Sequence, residues 1–230
     1  MHGLVWNARG LGQLRKKKFL QDTIRDRWLS FVGIQETKKV DFQLEWLNSL
    51  TGHDLFIWHW IPSIGQSSGI LLGVSECMYE IGECEKGDYH IRMLLHDKCS
   101  GFKCNLVVVY GAPHYKDKAK KLVELVQVLG CNSFPFMLGG DKGIRHSKWS
   151  NLFNGIIEHW ALQELDLYGR SFTWSNNQED PLFEKLDRIL VSSGWISTHP
   201  LATVIALNRR VSDHNSLLVT YGLSANYVRS

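Results

Sequence analysis

The chain has 230 residues, 44% of them hydrophobic, which is enough to bury one large core rather than two small ones. Its formal charge of +3 is weakly basic and permits a polyanionic partner without arguing for one. No apolar run is long enough to cross a membrane, no signal peptide fits the opening Met1-His2-Gly3-Leu4, and Cys77, Cys84, Cys99, Cys104 and Cys131 lack metal spacing and read as reduced thiols of an intracellular protein.

Residues 3–7 read as a first strand, and Arg9-Gly10-Leu11-Gly12 as a turn into a basic helix. In that helix Leu20, Ile24 and Trp28 recur every four residues and share one face. Arg15, Lys16, Lys17 and Lys18 point mostly elsewhere, as either a solvated surface or a phosphate-contacting patch. A second buried strand over 29–34 ends in Gln35-Glu36-Thr37, and helical spacing around Phe42, Trp46 and Leu50 leads to strands over 55–61 and 69–74. Residues 90–96 and 103–110 are expected to pair antiparallel about a Ser100-Gly101 turn. Leu122, Leu125, Val126 and Leu129 then mark an amphipathic helix.

That helix delivers the chain to Pro135-Phe136-Met137-Leu138-Gly139-Gly140-Asp141, around which the rest is organised. The apolar residues make a short buried strand, the paired glycines let the backbone approach something closely, and a carboxylate follows at the strand's carboxyl end. Trp149, Leu152, Phe153, Ile156 and Trp160 fit a further helix face, and short strands are expected over 172–175, 184–191, 203–207 and 216–220. About eleven strands against four or five helices is too much sheet for a doubly wound fold. The expected α/β fold is a sandwich of two mixed sheets packed face to face with helices outside, one domain over 1–222 with a tail over 223–230.

Several strands finish at or near a polar group ill suited to a core: Asn7, Glu36, Tyr110, Asp141, and Asp213-His214 ahead of Ser216, while Asp187 lies inside an apolar run. Each alone is commonly a turn former, but strand ends gathered on one rim would put them in one cleft. Such hard oxygen donors suit Mg²⁺, which keeps several waters and takes one or two carboxylates plus substrate phosphate oxygens. An aspartate next in sequence to a histidine cannot easily orient that ring, so Asp187 is the better candidate to hold His214. The chain has no Gly-x-Ser-x-Gly elbow and no Gly-x-x-x-x-Gly-Lys-Ser/Thr loop, which argues against serine acyl chemistry and a nucleotide-binding loop.

Taken together, Trp6-Asn7-Ala8-Arg9-Gly10-Leu11, Gln35-Glu36-Thr37-Lys38, Val109-Tyr110-Gly111, Gly139-Gly140-Asp141, Phe172-Thr173-Trp174-Ser175-Asn176, Leu186-Asp187-Arg188 and Ser212-Asp213-His214 resemble the endonuclease/exonuclease/phosphatase (DNase I-like) superfamily. The resemblance runs from about residue 4 to 220 and is nearest to the endonuclease domain of plant LINE-type retrotransposons. It implies a four-layer sandwich that hydrolyses phosphodiesters with Mg²⁺ or Mn²⁺, in DNA or else RNA, as an intracellular, nuclear monomer without membrane attachment. Carried over residue by residue, it makes Glu36 the main metal ligand with Asn7 beside it and Asp213 contributing. His214, held by Asp187, would face the scissile phosphate, Tyr110 would bind a phosphate oxygen, and Asp141 would orient or deprotonate the attacking water.

One motif departs from the family. Where relatives read Gly-Asp-Phe-Asn, Asp141 is followed by Lys142-Gly143, and the stretch 146–149 is shortened. Three outcomes stay open: an enzyme that nicks DNA, an inactive domain that still binds nucleic acid through Arg9, Lys38 or the Arg15–Lys18 run, or a phosphatase of the same superfamily. The chain ends at Ser230 without the Tyr-x-Asp-Asp of a reverse transcriptase, so the expectation is a stand-alone domain, a fragment or relic of a mobile element. Trp58, Trp60 and Trp174 are either base-stacking platforms or core packing.

Overall fold

The computed structural model describes residues 1–52, 54–64, 68–111, 117–130, 133–141, 147–207 and 211–222. Lys142, Gly143 and the rest of 142–146, and the expected tail over 223–230, lie outside the described residues. In chain order come β1 (His2–Asn7), α1 (Leu14–Arg27), β2 (Leu29–Gln35), α2 (Leu44–Thr51), β3 (Phe56–Ile61) and β4 (Ile70–Ser75). β5 (Tyr79–Lys86), β6 (His90–Asp97), β7 (Lys103–Val109), α3 (Lys118–Gly130), β8 (Phe136–Asp141) and α4 (Ser147–His159) follow. The last third holds β9 (Gln163–Glu164), β10 (Leu167–Tyr168), β11 (Trp174–Ser175), β12 (Phe183–Glu184), β13 (Asp187–Val191), α5 (Ser193–Thr198), β14 (Thr203–Ala206) and β15 (Leu217–Thr220).

These strands form a seven-stranded sheet in the order β10-β14-β15-β1-β2-β4-β3, a six-stranded sheet in the order β5-β6-β7-β8-β13-β9, and a small β11-β12 ribbon. Both large sheets are mixed: β1 runs parallel to β2 and β7 parallel to β8, while the neighbours β15, β4 and β13 run antiparallel. Alternation along each strand explains the layers. In β1, Val5 faces the other sheet in a core with Phe31, Leu72, Val108, Met137 and Val219. Its neighbours Leu4 and Trp6 face outward onto Leu20 and Ile24 of α1 and Leu47 and Leu50 of α2. Across the molecule, Val107, Val109 and Leu138 face outward onto Leu122, Leu125 and Leu129 of α3 and Phe153 of α4. The result is the four-layer α/β sandwich.

Glycine lets the two sheets close up where they cross. A Cβ on Gly139 would lie 2.7 Å from Val5 Cγ2, and one on Gly33 would lie 2.6 Å from Val108 Cγ2. Farther along the same strands, a Cβ on Gly140 would meet Gln35 Nε2 at 2.8 Å. The carboxyl ends of β2 and β8, from opposite sheets, are therefore neighbours on one rim.

Some local expectations differ. α1 stops at Arg27, and Trp28 takes a left-handed conformation (φ 50°) as its C-cap and is 61% exposed, so it does not share the buried face of Leu20 and Ile24. Val126 and Leu152 are exposed rather than packed under their helices. The expected strand over 184–191 is two elements, β12 in the ribbon and β13 in the large sheet. Trp58 and Trp60 are packed against the α1–α2 core, Trp58 stacked on Phe56 and Trp60 set edgewise to Phe42.

Candidate active site

Strand direction decides which side chains meet. Asn7 ends β1, Glu36 follows β2, Tyr110 follows β7 and Asp141 ends β8, all at carboxyl termini of parallel pairs. β13 runs antiparallel to β8 with Asp187 directly across from Asp141. β15 runs antiparallel to β1, so the segment entering it, Ser212-Asp213-His214, arrives at the same rim. Hydrogen bonds tie these ends together.

Asn7 Nδ2 donates to Glu36 Oε1 at 2.9 Å, and Ser212 Oγ donates to the Asn7 carbonyl at 2.9 Å. Glu36 itself sits at φ 51°, unusual for a residue with a side chain, and its carbonyl accepts the Gly10 N–H at 2.6 Å. Arg9 reaches both acids, with Nε 3.7 Å from Glu36 Oε2 and a terminal guanidinium nitrogen 3.3 Å from Asp213 Oδ2. On its other side Asp213 Oδ2 accepts the Trp174 indole N–H at 2.9 Å. Trp174 thus serves to hold a carboxylate and is itself buried, which leaves no open face for stacking on a base.

His214 is buried, its Nδ1 2.8 Å from Asp187 Oδ2. Burial pushes the imidazole pKa down, but the charge and hydrogen bond of Asp187, with help from Asp141 and Asp213, outweigh it and leave the pKa above 6.5. The His214 backbone N–H donates to Ser212 Oγ, while Thr173 Oγ1 accepts the N–H groups of Leu186 and Asp187 at 3.0 and 2.9 Å. Both halves of the pair are therefore held from behind. The other ring nitrogen, Nε2, is buried with no partner among the described residues, as is Asp187 Oδ1. A buried N–H left without an acceptor is costly unless something else supplies one.

Tyr110 donates to Ser68 Oγ at 3.0 Å, and burial, then the charge of Glu36, pushes its phenol up to about 12. It stays a neutral donor at ordinary pH. The Asp141 carbonyl accepts from Lys121 Nζ at 3.1 Å, and burial lowers that lysine to about 8. Lys16 is also buried, with Nζ donating to the carbonyls of Ala8 and Arg9 at 2.6 and 3.1 Å.

All seven predicted site residues therefore lie on one rim. Sequence reasoning missed the supports: Lys16, Lys121, Thr173 and Ser212. Lys16 gives no signal, being the second of four basic residues, of which Lys18 pairs with Asp22 at 3.1 Å on the surface. Thr173 and Ser212 do lie inside recognised motifs.

Among the described residues no three His, Cys, Asp or Glu side chains are arranged to hold a metal by themselves. The donor set of Glu36, Asp213 and the Asn7 amide is hard and anionic, and it already draws a cationic guanidinium between its carboxylates. That chemistry fits an ion that takes one or two carboxylates and completes its shell with water and phosphate oxygens. A groove of about 480 Å³ between α1 and the residues Leu207 and Val211 is lined by Arg15, Lys18, Asp22 and Arg27 and holds none of these groups.

A family model described as "Endonuclease/Exonuclease/phosphatase family" matches residues 4–214. A search of curated proteins finds no match. Among solved structures, the endonuclease domain of TRAS1, a telomere-specific non-LTR retrotransposon, is 14% identical with a TM-score of 0.69, over 97% of this chain and 99% of that one. D. rerio TDP2 complexed with a single-strand DNA product is likewise 14% identical with a TM-score of 0.69, over 97% and 99%. A mannosyl-6-phosphatase of Bacteroides thetaiotaomicron is 14% identical with a TM-score of 0.67, over 97% and 100%. At such identities the likeness speaks for the fold alone.

Proposed function

The chain belongs to the endonuclease/exonuclease/phosphatase family, and from that membership we propose that it is a phosphodiester hydrolase of the retrotransposon endonuclease type, nicking DNA with Mg²⁺ or Mn²⁺. The observation that carries this reading is the buried His214–Asp187 pair, with Nε2 unpartnered among the described residues, on the rim that also holds Glu36 and Asp213. A family of nucleases and phosphatases acts on phosphate esters, and a raised imidazole next to hard carboxylates is suited to a phosphate whose charge grows during the reaction.

Glu36, Asp213 and Asn7 would hold the divalent ion, which neutralises phosphate charge and lowers the barrier to attack by water. Asn7 keeps Glu36 in one orientation through its amide. His214 keeps its proton at Nδ1 toward Asp187 and presents Nε2–H to a non-bridging phosphate oxygen. Tyr110 turns its hydroxyl from Ser68 to a second oxygen, a role open to it because it stays protonated up to about pH 12. Asp141 orients the attacking water and accepts its proton, with Lys121 fixing its backbone from below. Such an enzyme acts where chromosomal DNA lies, so we assign it to the nucleus.

Purified protein with supercoiled plasmid and Mg²⁺ should yield nicked circles. His214→Ala and Asp213→Ala should each lower the rate by about 10²–10³. Nicking by both variants at the wild-type rate would contradict the proposal. A second reading, nucleic-acid binding without turnover, is favoured by Lys142-Gly143 standing where relatives have Phe-Asn. DNA binding by the wild type with no nicking, and nicking gained on restoring Phe-Asn, would select it.

A further inference from the structure

Resting on that reading, we infer that Arg9 is a built-in counter-ion that competes with the divalent ion for Glu36 and Asp213. An incoming phosphodiester draws it off, so that metal and nucleic acid load together. Its guanidinium spans the two carboxylates proposed to hold the ion, 3.7 Å from one and 3.3 Å from the other. Both acids are fixed from elsewhere, Glu36 by the Asn7 amide and Asp213 by the Trp174 indole. The arginine is the member that can move, with 42% of its side chain exposed against 10% for Glu36 and 24% for Asp213.

The root of the side chain is pinned. Arg9 has φ 50°, its N–H donates to Asn7 Oδ1 at 3.3 Å, and its carbonyl accepts from buried Lys16 at 3.1 Å. A fixed root with a free head keeps the guanidinium within reach of the cleft whatever it binds. A divalent ion between the same carboxylates would sit beside this charge and be repelled by it. A phosphate is the better ligand for guanidinium, since it offers paired oxygens to the planar fork. Moving Arg9 onto the substrate removes the repulsion, and by linkage each ligand then tightens the other.

The test is Mn²⁺ affinity of the whole chain by electron paramagnetic resonance, without nucleic acid and then with a duplex phosphorothioate oligonucleotide. Arg9→Gln should bind Mn²⁺ alone about tenfold more tightly than wild type, and Arg9→Lys, which keeps the charge, should stay within about threefold of it. The oligonucleotide should tighten Mn²⁺ binding more in wild type than in Arg9→Gln. Thermal unfolding checks that each variant is folded. Equal Mn²⁺ affinity of folded wild type and Arg9→Gln overturns this inference while leaving the hydrolase reading standing. Failure of every form to bind Mn²⁺, with or without the oligonucleotide, overturns both.

Discussion

Asp187 lies 2.8 Å from the His214 ring and is the strongest influence holding its proton against the cost of burial. The sign follows directly. With a folded-state pKa above 6.5, protonated His214 adds to stability below that value, and the contribution fades as pH rises through the folded pKa. The same proton is the one offered to phosphate, so activity should fall on the alkaline side of that pKa. Asp187→Asn removes the charge, and burial then dominates. We predict that the His214 resonance titrates at lower pH, that the alkaline limb of the rate profile moves the same way, and that turnover drops about 10²-fold. An unchanged titration would remove Asp187 from its role. This pairing is legible in the sequence, because Asp213 is adjacent to His214 and cannot easily reach its ring. The burial of Lys16 and Lys121 is not legible, since a lysine in a basic run or on an amphipathic helix normally points to water.

Among the elements, β8 makes a demand that only glycine meets. Gly140 has φ +145°, and a Cβ there would lie 2.0 Å from the Val109 carbonyl on the neighbouring strand. Gly140→Ala should therefore destabilise the fold by about 3 kcal/mol or more, read by chemical denaturation. Gly155 of α4 is the control: its Cβ would meet nothing within 4 Å, and Gly155→Ala should stabilise by about 0.5–1 kcal/mol. Similar losses in both variants would mean that the strand crossing is not as close as described. The apolar strands β1, β2, β4, β7 and β8 are readable because burial on both faces leaves continuous hydrophobic runs. β5 was not, since it is an edge strand rich in glutamate whose alternation is broken by a bulge between Ile81 and Cys84. Two of its acids are spent on Arg92, with Glu83 at 3.0 Å and Glu85 at 2.8 Å. Trp28 matched the helical period but fell one residue past the helix, where the chain reverses into β2.

At the scale of the molecule, two sheets present their strand ends on one rim, and that convergence turns scattered polar residues into a site. Motif order in the sequence anticipates the sandwich and the residues on its rim. It does not anticipate that Arg9, read as part of a turn and as a candidate nucleic-acid contact, would bridge the two carboxylates, because that contact is made through space by residues 27 and 204 positions apart. The most direct measurement of the central claim is an anomalous-scattering map from a crystal of the protein grown with Mn²⁺ and the phosphorothioate duplex. The account predicts a manganese peak bound by Glu36 and Asp213, with His214 Nε2 on a phosphate oxygen beside it. Manganese bound elsewhere, with Arg9 still bridging both carboxylates and the duplex away from His214, would contradict it.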